Sequence, residues 1–158
     1  MATSNLLCAV YGKATCPLEA GSGGNLVSGT GCPGGGVVWL EVARDAVLSG
    51  ILSANSVTNR SLGGSCSGAS GGSVYVRANK LFADGLNASA AGGTSNIAPG
   101  GGGRIAFAFT QLVTNDVVTS VRCGTKYVNK VFAENTLAEP GTVEWVEVPG
   151  PGLLFIVR

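Results

Sequence analysis

Short runs that alternate apolar and polar residues, each launched from a cluster of glycines, recur along the chain. Gly34-Gly35-Gly36 leads into Val37-Val38-Trp39-Leu40-Glu41-Val42, Gly71-Gly72 into Ser73-Val74-Tyr75-Val76-Arg77-Ala78, and Gly100 to Gly103 into Arg104-Ile105-Ala106-Phe107-Ala108-Phe109. A fainter copy starts at Pro140-Gly141 and continues Thr142-Val143-Glu144-Trp145. Counted from the last glycine of each copy, the spacings are 36, 31 and 38 residues. Period-two alternation marks a strand with one buried and one outward face. It predicts Val38, Leu40, Val42, Val74, Val76, Ala78, Ile105, Phe107 and Phe109 inside, and Trp39, Glu41, Tyr75, Arg77, Ala106 and Ala108 on the other face.

Within each copy a turn at Ser49-Gly50, Asp84-Gly85 or Asn115-Asp116 opens a second strand: Gly50 to Asn55, Gly85 to Ala90, Asp116 to Val121. Gly, Asn and Asp recur there because they best tolerate positive φ. Small residues such as Ser53, Ala54, Ala88, Ser89 and Ala90 stand where an ordinary sheet prefers large ones. A narrow stacked coil explains this, since bulky side chains from one wall must meet small ones from the other. Helical propensity is confined to Tyr127–Leu137. Repeats of this length signal a solenoid. The expected fold is all-β, a right-handed parallel β-helix with glycine-rich corners; a β-sandwich is the alternative. We expect one domain over 1–158, with an N-terminal coil or cap at 1–33, repeat coils at 34–146 and an apolar C-terminal strand at 147–158.

Composition narrows the function. Lys plus Arg (10) nearly balances Asp plus Glu (9), giving +1 and no electrostatic basis for a nucleic-acid partner. The absence of histidine removes the commonest general base and metal ligand. No metal or other cofactor is expected. No apolar run reaches the roughly 20 residues of a spanning helix, so membrane insertion is not expected. Met1 to Val10 lacks the basic start and long apolar stretch of a signal peptide.

The strings Gly71-Gly72-Ser73-Val74-Tyr75-Val76, Gly85-Leu86-Asn87-Ala88-Ser89-Ala90-Ala91-Gly92-Gly93, Gly100-Gly101-Gly102-Gly103-Arg104-Ile105-Ala106-Phe107 and Gly141-Thr142-Val143 occur in that order. Together they resemble the glycine-rich repeat region of large extracellular or surface proteins of plants, algae, oomycetes and some bacteria. The resemblance spans residues 29–146. It implies a β-helical extracellular structural or adhesive region and brings no catalytic residues with it. The chain departs from that pattern in being short and in carrying Cys66 inside a glycine corner.

Single motifs read blandly. Gly29-Thr30-Gly31-Cys32-Pro33-Gly34 has the G-x-G-x-x-G spacing but opens a strand, not the helix a dinucleotide needs. Gly68-Ala69-Ser70-Gly71-Gly72 has the nucleophile-elbow spacing without a histidine. Asp45, Asp84 and Asp116 fall at corners as turn formers, and Glu144 and Glu147 fall on opposite faces of one strand. Arg77 lies one copy from Glu41, as expected of a cross-strand ion pair. With no carboxylate pair assembled, the chain is read as not an enzyme, with a β-helical polysaccharide lyase as the enzymatic alternative.

Trp39 and Tyr75 occupy equivalent outward positions, a short aromatic column expected first to lie under loop cover or a second packing layer, with a neighbouring chain or a glycan as the alternatives. Asn59-Arg60-Ser61 and Asn87-Ala88-Ser89 are N-glycosylation sequons, placing Asn59 and Asn87 among candidate modification sites. Cys8 and Cys16 are close enough for a hairpin bridge, Cys32 and Cys66 for a staple between adjacent coils, and Cys123 is left over. Leu153-Leu154-Phe155-Ile156-Val157 is too apolar for a free tail, and Leu6 to Tyr11 has the same character. Leu153 and Phe155 are thus candidate interface residues. A repetitive chain with apolar ends suits head-to-tail assembly. The expectation is an extracellular or cell-surface structural protein, a subunit or segment of a fibre, wall or appendage, with itself as partner. A carbohydrate-binding adhesin module that recognises polysaccharide is the alternative.

Overall fold

The computed structural model describes residues 12–28, 31–58, 65–128, 131–133 and 138–150. Within these residues the protein is all-β, without a helix, and most of its strands form one parallel sheet. The strands are β1 (Leu26–Ser28), β2 (Val37–Glu41), β3 (Asp45–Ser53), β4 (Ser65–Cys66), β5 (Ser73–Ser89), β6 (Arg104–Ser120), β7 (Lys126–Val128), β8 (Val131–Ala133) and β9 (Thr142–Glu147). The parallel sheet runs β2-β5-β6-β9, and β3 joins it on the second half of β5. Two small antiparallel pairs, β1 with β4 and β7 with β8, stand apart from it.

The sheet aligns the repeats. Val38 pairs with Val74, Val74 with Ile105, and Ile105 with Val143. Farther along, Leu52 pairs with Ala88 and Ala88 with Thr119. The second strands begin earlier than their turns suggest, because β5 and β6 run through those turns as continuous strands and stay paired on both sides of them, with Asp84, Gly85 and Asp116 left out of register. The buried residues of β5 and the loop after it show how. They are Val74, Val76 and Ala78, then Leu81 and Ala83, then Leu86, Ala88 and Ala90. The inward phase slips by one residue twice, and a single slip would otherwise turn every later side chain outward. Each slip bends the strand and keeps the same side facing in. Gly85, with φ of 64°, lies in the second slip, and Gly50, with φ of 87°, ends the matching register break in β3. Side chains with a β-carbon strain at such angles.

Both halves of β5 therefore line a single core with Ala46, Ala54, Ile105, Phe107 and Phe109. Val38 and Leu40 pack against it from one end and Val143 from the other. Val42, expected inside, lies just past the end of β2 and is exposed. Large residues of the first strands, Val74, Val76 and Phe107, share this core with alanines of the second, Ala83 and Ala88. Phe107 also stacks on Trp145 of the next copy, with centroids 4.5 Å apart and planes 18° apart.

The glycine segments close each copy. Gly72 N donates to Ala54 O at 2.8 Å, Gly103 N to Ala90 O at 2.7 Å and Gly141 N to Val121 O at 2.7 Å. Each of these three glycines is thus bonded to the residue just past the end of the preceding second strand. The stretch read as weakly helical holds β7 and β8, paired antiparallel with Tyr127 opposite Phe132. The aromatic and β-branched residues Tyr127, Val128, Val131 and Phe132 outweigh the helix formers around them.

A β-carbon on Gly103 would collide with the carbonyl oxygen of Gly72, whereas one on Gly36 would meet open space. Gly103→Ala is expected to cost at least about 2 kcal/mol, the scale of overpacking a filled site. Gly36→Ala should stay within about 0.5 kcal/mol of the parent, as surface changes do. Urea unfolding of the two variants checks this; equal midpoints would refute the close-contact role of the corner.

Candidate functional site

The outward face of the first strands carries the chemistry expected to meet a partner. The sheet register lines up Trp39, Tyr75, Ala106 and Glu144 in one column and Glu41, Arg77, Ala108 and Val146 in the next. Trp39 is 55% exposed, but Tyr75 is only 7% exposed. The cover expected over the aromatic column is therefore present at Tyr75 and not at Trp39, and the pair is no two-ring platform. Its cover is the segment from residue 12 to 25. Cys16 packs on the Tyr75, Ala106 and Ala108 cluster, and Pro17 beside it is fully buried. Ser73 Oγ donates to Glu19 O at 2.6 Å, and Gly21 N donates to Gly35 O at 2.8 Å. Small side chains at 106 and 108 leave room for this cover, a long-range effect that strand periodicity does not report.

Burial pushes the Tyr75 phenol above its ordinary pKa, and the hydrogen-bonded Cys16 thiol and Glu41 add to the rise while Arg77 opposes it. The protonated phenol is the form that fits the fold. This contribution to stability is complete below the ordinary phenol value of about 10 and is lost as pH rises through the higher folded value.

Beyond the covered part, the face opens into a groove of about 580 Å³ lined by Glu41, Val42, Ala43, Arg77, Ala78, Asn79, Thr110, Val148 and Pro149. Arg77 Nη1 donates to Glu41 Oε1 at 3.2 Å, the cross-strand pair expected from the repeat spacing. Both side chains are half exposed, so the pair contributes at most about 1 kcal/mol.

The other candidates are dispersed. Asn87 is exposed on the outward face of β5, between Ile51 and Val118 in register, and its sequon partner Ser89 donates its hydroxyl to Asn55 Oδ1 at 2.5 Å. The Ser70 hydroxyl, at the centre of the elbow-like string, sits 3.0 Å from that of Ser22 and accepts from Ser22 N at 2.7 Å. Asp116 Oδ2 accepts from Gly85 N at 3.1 Å, a turn-forming task. Cys16 and Cys123 carry free thiols, so Cys16 does not form the bridge to Cys8 expected from their spacing. Its side chain packs against the Tyr75 cluster. Cys32 is buried beside Ala69 and is not a free thiol. Cys8, Asn59, Leu153 and Phe155 lie outside the described residues, as does the Cys66 side chain.

Ultraviolet titration is expected to show one tyrosine of the three ionising later than the others, and Tyr75→Phe should delete that late step. Cys16→Ala should move it to lower pH. A late step that survives Tyr75→Phe would contradict the assignment.

No protein family, no curated protein and no solved structure matches this chain.

Proposed function

We propose that the chain is a right-handed β-solenoid of the cell exterior, a structural subunit or segment of a fibre, wall or surface appendage that assembles through the ends of its stack. The observation that carries this reading is the corner hydrogen bond repeated at Gly72, Gly103 and Gly141, which returns each copy to the start of the next. A chain wound in this way has two terminal edges. Among the described residues, β2 and β3 at one end and β9 at the other each have a strand partner on one side alone. Open edges of this kind are templates for another chain. Sedimentation velocity and negative-stain imaging should find concentration-dependent end-to-end particles; dispersed monomers throughout would overturn the assembly.

The edge chemistry supplies a sharper test. Thr142 N donates to Gly103 O and Val148 N donates to Phe109 O, so even-numbered amides of β9 point toward β6. Alternation then directs the amides of Val143, Trp145 and Glu147 outward. Glu147→Pro removes one outward donor and leaves the β6 ladder intact. It is expected to abolish or sharply reduce end-to-end particles while circular dichroism and the unfolding midpoint hold. Undiminished assembly would exclude this edge.

An exterior location also suits a staple between Cys32 and Cys66, since disulfides persist in oxidising compartments. Peptide mapping without reductant should recover Cys32 linked to Cys66, with Cys16 and Cys123 alkylated. Recovery of Cys32 as an alkylated thiol would remove the staple from this reading.

A further inference from the structure

We propose a second function for the outward face: the groove beside Trp39 binds a segment of a neutral polysaccharide. The groove belongs to one chain and does not depend on the assembly above. It crosses all four copies, from Val42 after β2, past Asn79 in β5 and Thr110 in β6, to Val148 after β9. Neighbouring strands lie about 4.8 Å apart, so three steps give a track of about 14 Å. That length suits several sugar rings in a row.

The lining has the mixture that sugars require. Val148 and Pro149 offer apolar contact to the C–H faces of a pyranose. The Asn79 amide and the Thr110 hydroxyl line the groove and form no hydrogen bond among the described residues, which leaves them for sugar hydroxyls. Glu41 and Arg77 compensate each other's charge, and among the described residues no other charged residue lines the groove. An electrically balanced site favours a neutral glycan over a uronate chain. Trp39 stands two residues before Glu41 on the same face, about 7 Å along the strand. Its exposed indole provides the flat surface on which a ring stacks.

Calorimetric titration of the full chain with hexamers of β-1,4-glucose, β-1,3-glucose, N-acetylglucosamine and mannose tests this, with polygalacturonate as the charged comparison. At least one neutral hexamer is expected to bind. Trp39→Ala and Asn79→Ala should each weaken it by about tenfold or more, a difference of roughly 1.4 kcal/mol. Ile51→Ser, on the exposed outer face of β3, should leave affinity unchanged, and the unfolding midpoints of the two groove variants should match the parent. The proposal fails if no neutral hexamer binds, if polygalacturonate binds more tightly than all of them, or if affinity survives both groove substitutions.

Discussion

Three backbones can meet at a corner of this protein because glycine stands at their closest approaches: a β-carbon on Gly21 would collide with the carbonyl oxygen of Ser70, and one on Gly34 with that of Gly21. Gly21 N donates to Gly35 O, Gly35 N to Ser70 O and Ser70 N to Ser22 O, a closed ring of main-chain bonds among three segments. Glycine costs conformational entropy on ordering, about 0.5–1 kcal/mol relative to alanine in regular structure. The corner offsets this with main-chain hydrogen bonds that bulkier residues could not approach closely enough to form. It also sets the register. Gly103 is held between Ala90 O, to which it donates, and the backbone of Gly71 and Gly72, so the strand that leaves it starts level with the strand that leaves Gly72. Val74 then meets Ile105, and Val76 meets Phe107.

A fixed register lets the thin core work. Because both strand halves line one core, volume is shared unequally. Phe107, Val74 and Val76 fill from one side while Ala83, Ala88 and Ala90 yield on the other. Interiors packed to this density tolerate neither two large walls nor two small ones. The last layer obeys the same rule with one partner missing. Trp145 stacks on Phe107 and tilts against Phe109, yet remains 38% exposed, because no described residue stacks beyond it.

What could be read in advance follows from how local each signal is. The glycine-led strands, their inward residues from Val74 to Phe109 and the Glu41–Arg77 pair were all written in spacing, since adjacent copies repeat the same local rule. The bends at Gly50 and Gly85 were legible as turn residues. That the strands run through them was not, because a compensated phase slip looks like a strand ending. Tyr75 was placed on the correct face, and cover by a loop or second layer was the first reading of the aromatic column, without the residues that supply it. Its cover comes from Cys16 and Pro17, which no repeat encodes, and only the small size of Ala106 and Ala108 hinted at a second layer. The free thiol of Cys16 has the same cause: sequence proximity to Cys8 carries no information about the tyrosine that Cys16 packs against.

The parallel ladder also bears on the geometry of the end-to-end assembly proposed above. Every strand of the main sheet points the same way, so the stack has a direction, with β2 and β3 at its head and β9 at its tail. A head pairing with another head would have to run antiparallel or abandon the sheet's own geometry. A head pairing with a tail continues the parallel ladder unchanged. Contacts between unlike surfaces extend indefinitely unless a rotation closes them, which favours filaments over two-fold dimers. The outer groove is compatible with that growth, because its lining residues sit on the side of the stack and would stay open as copies are added along the axis.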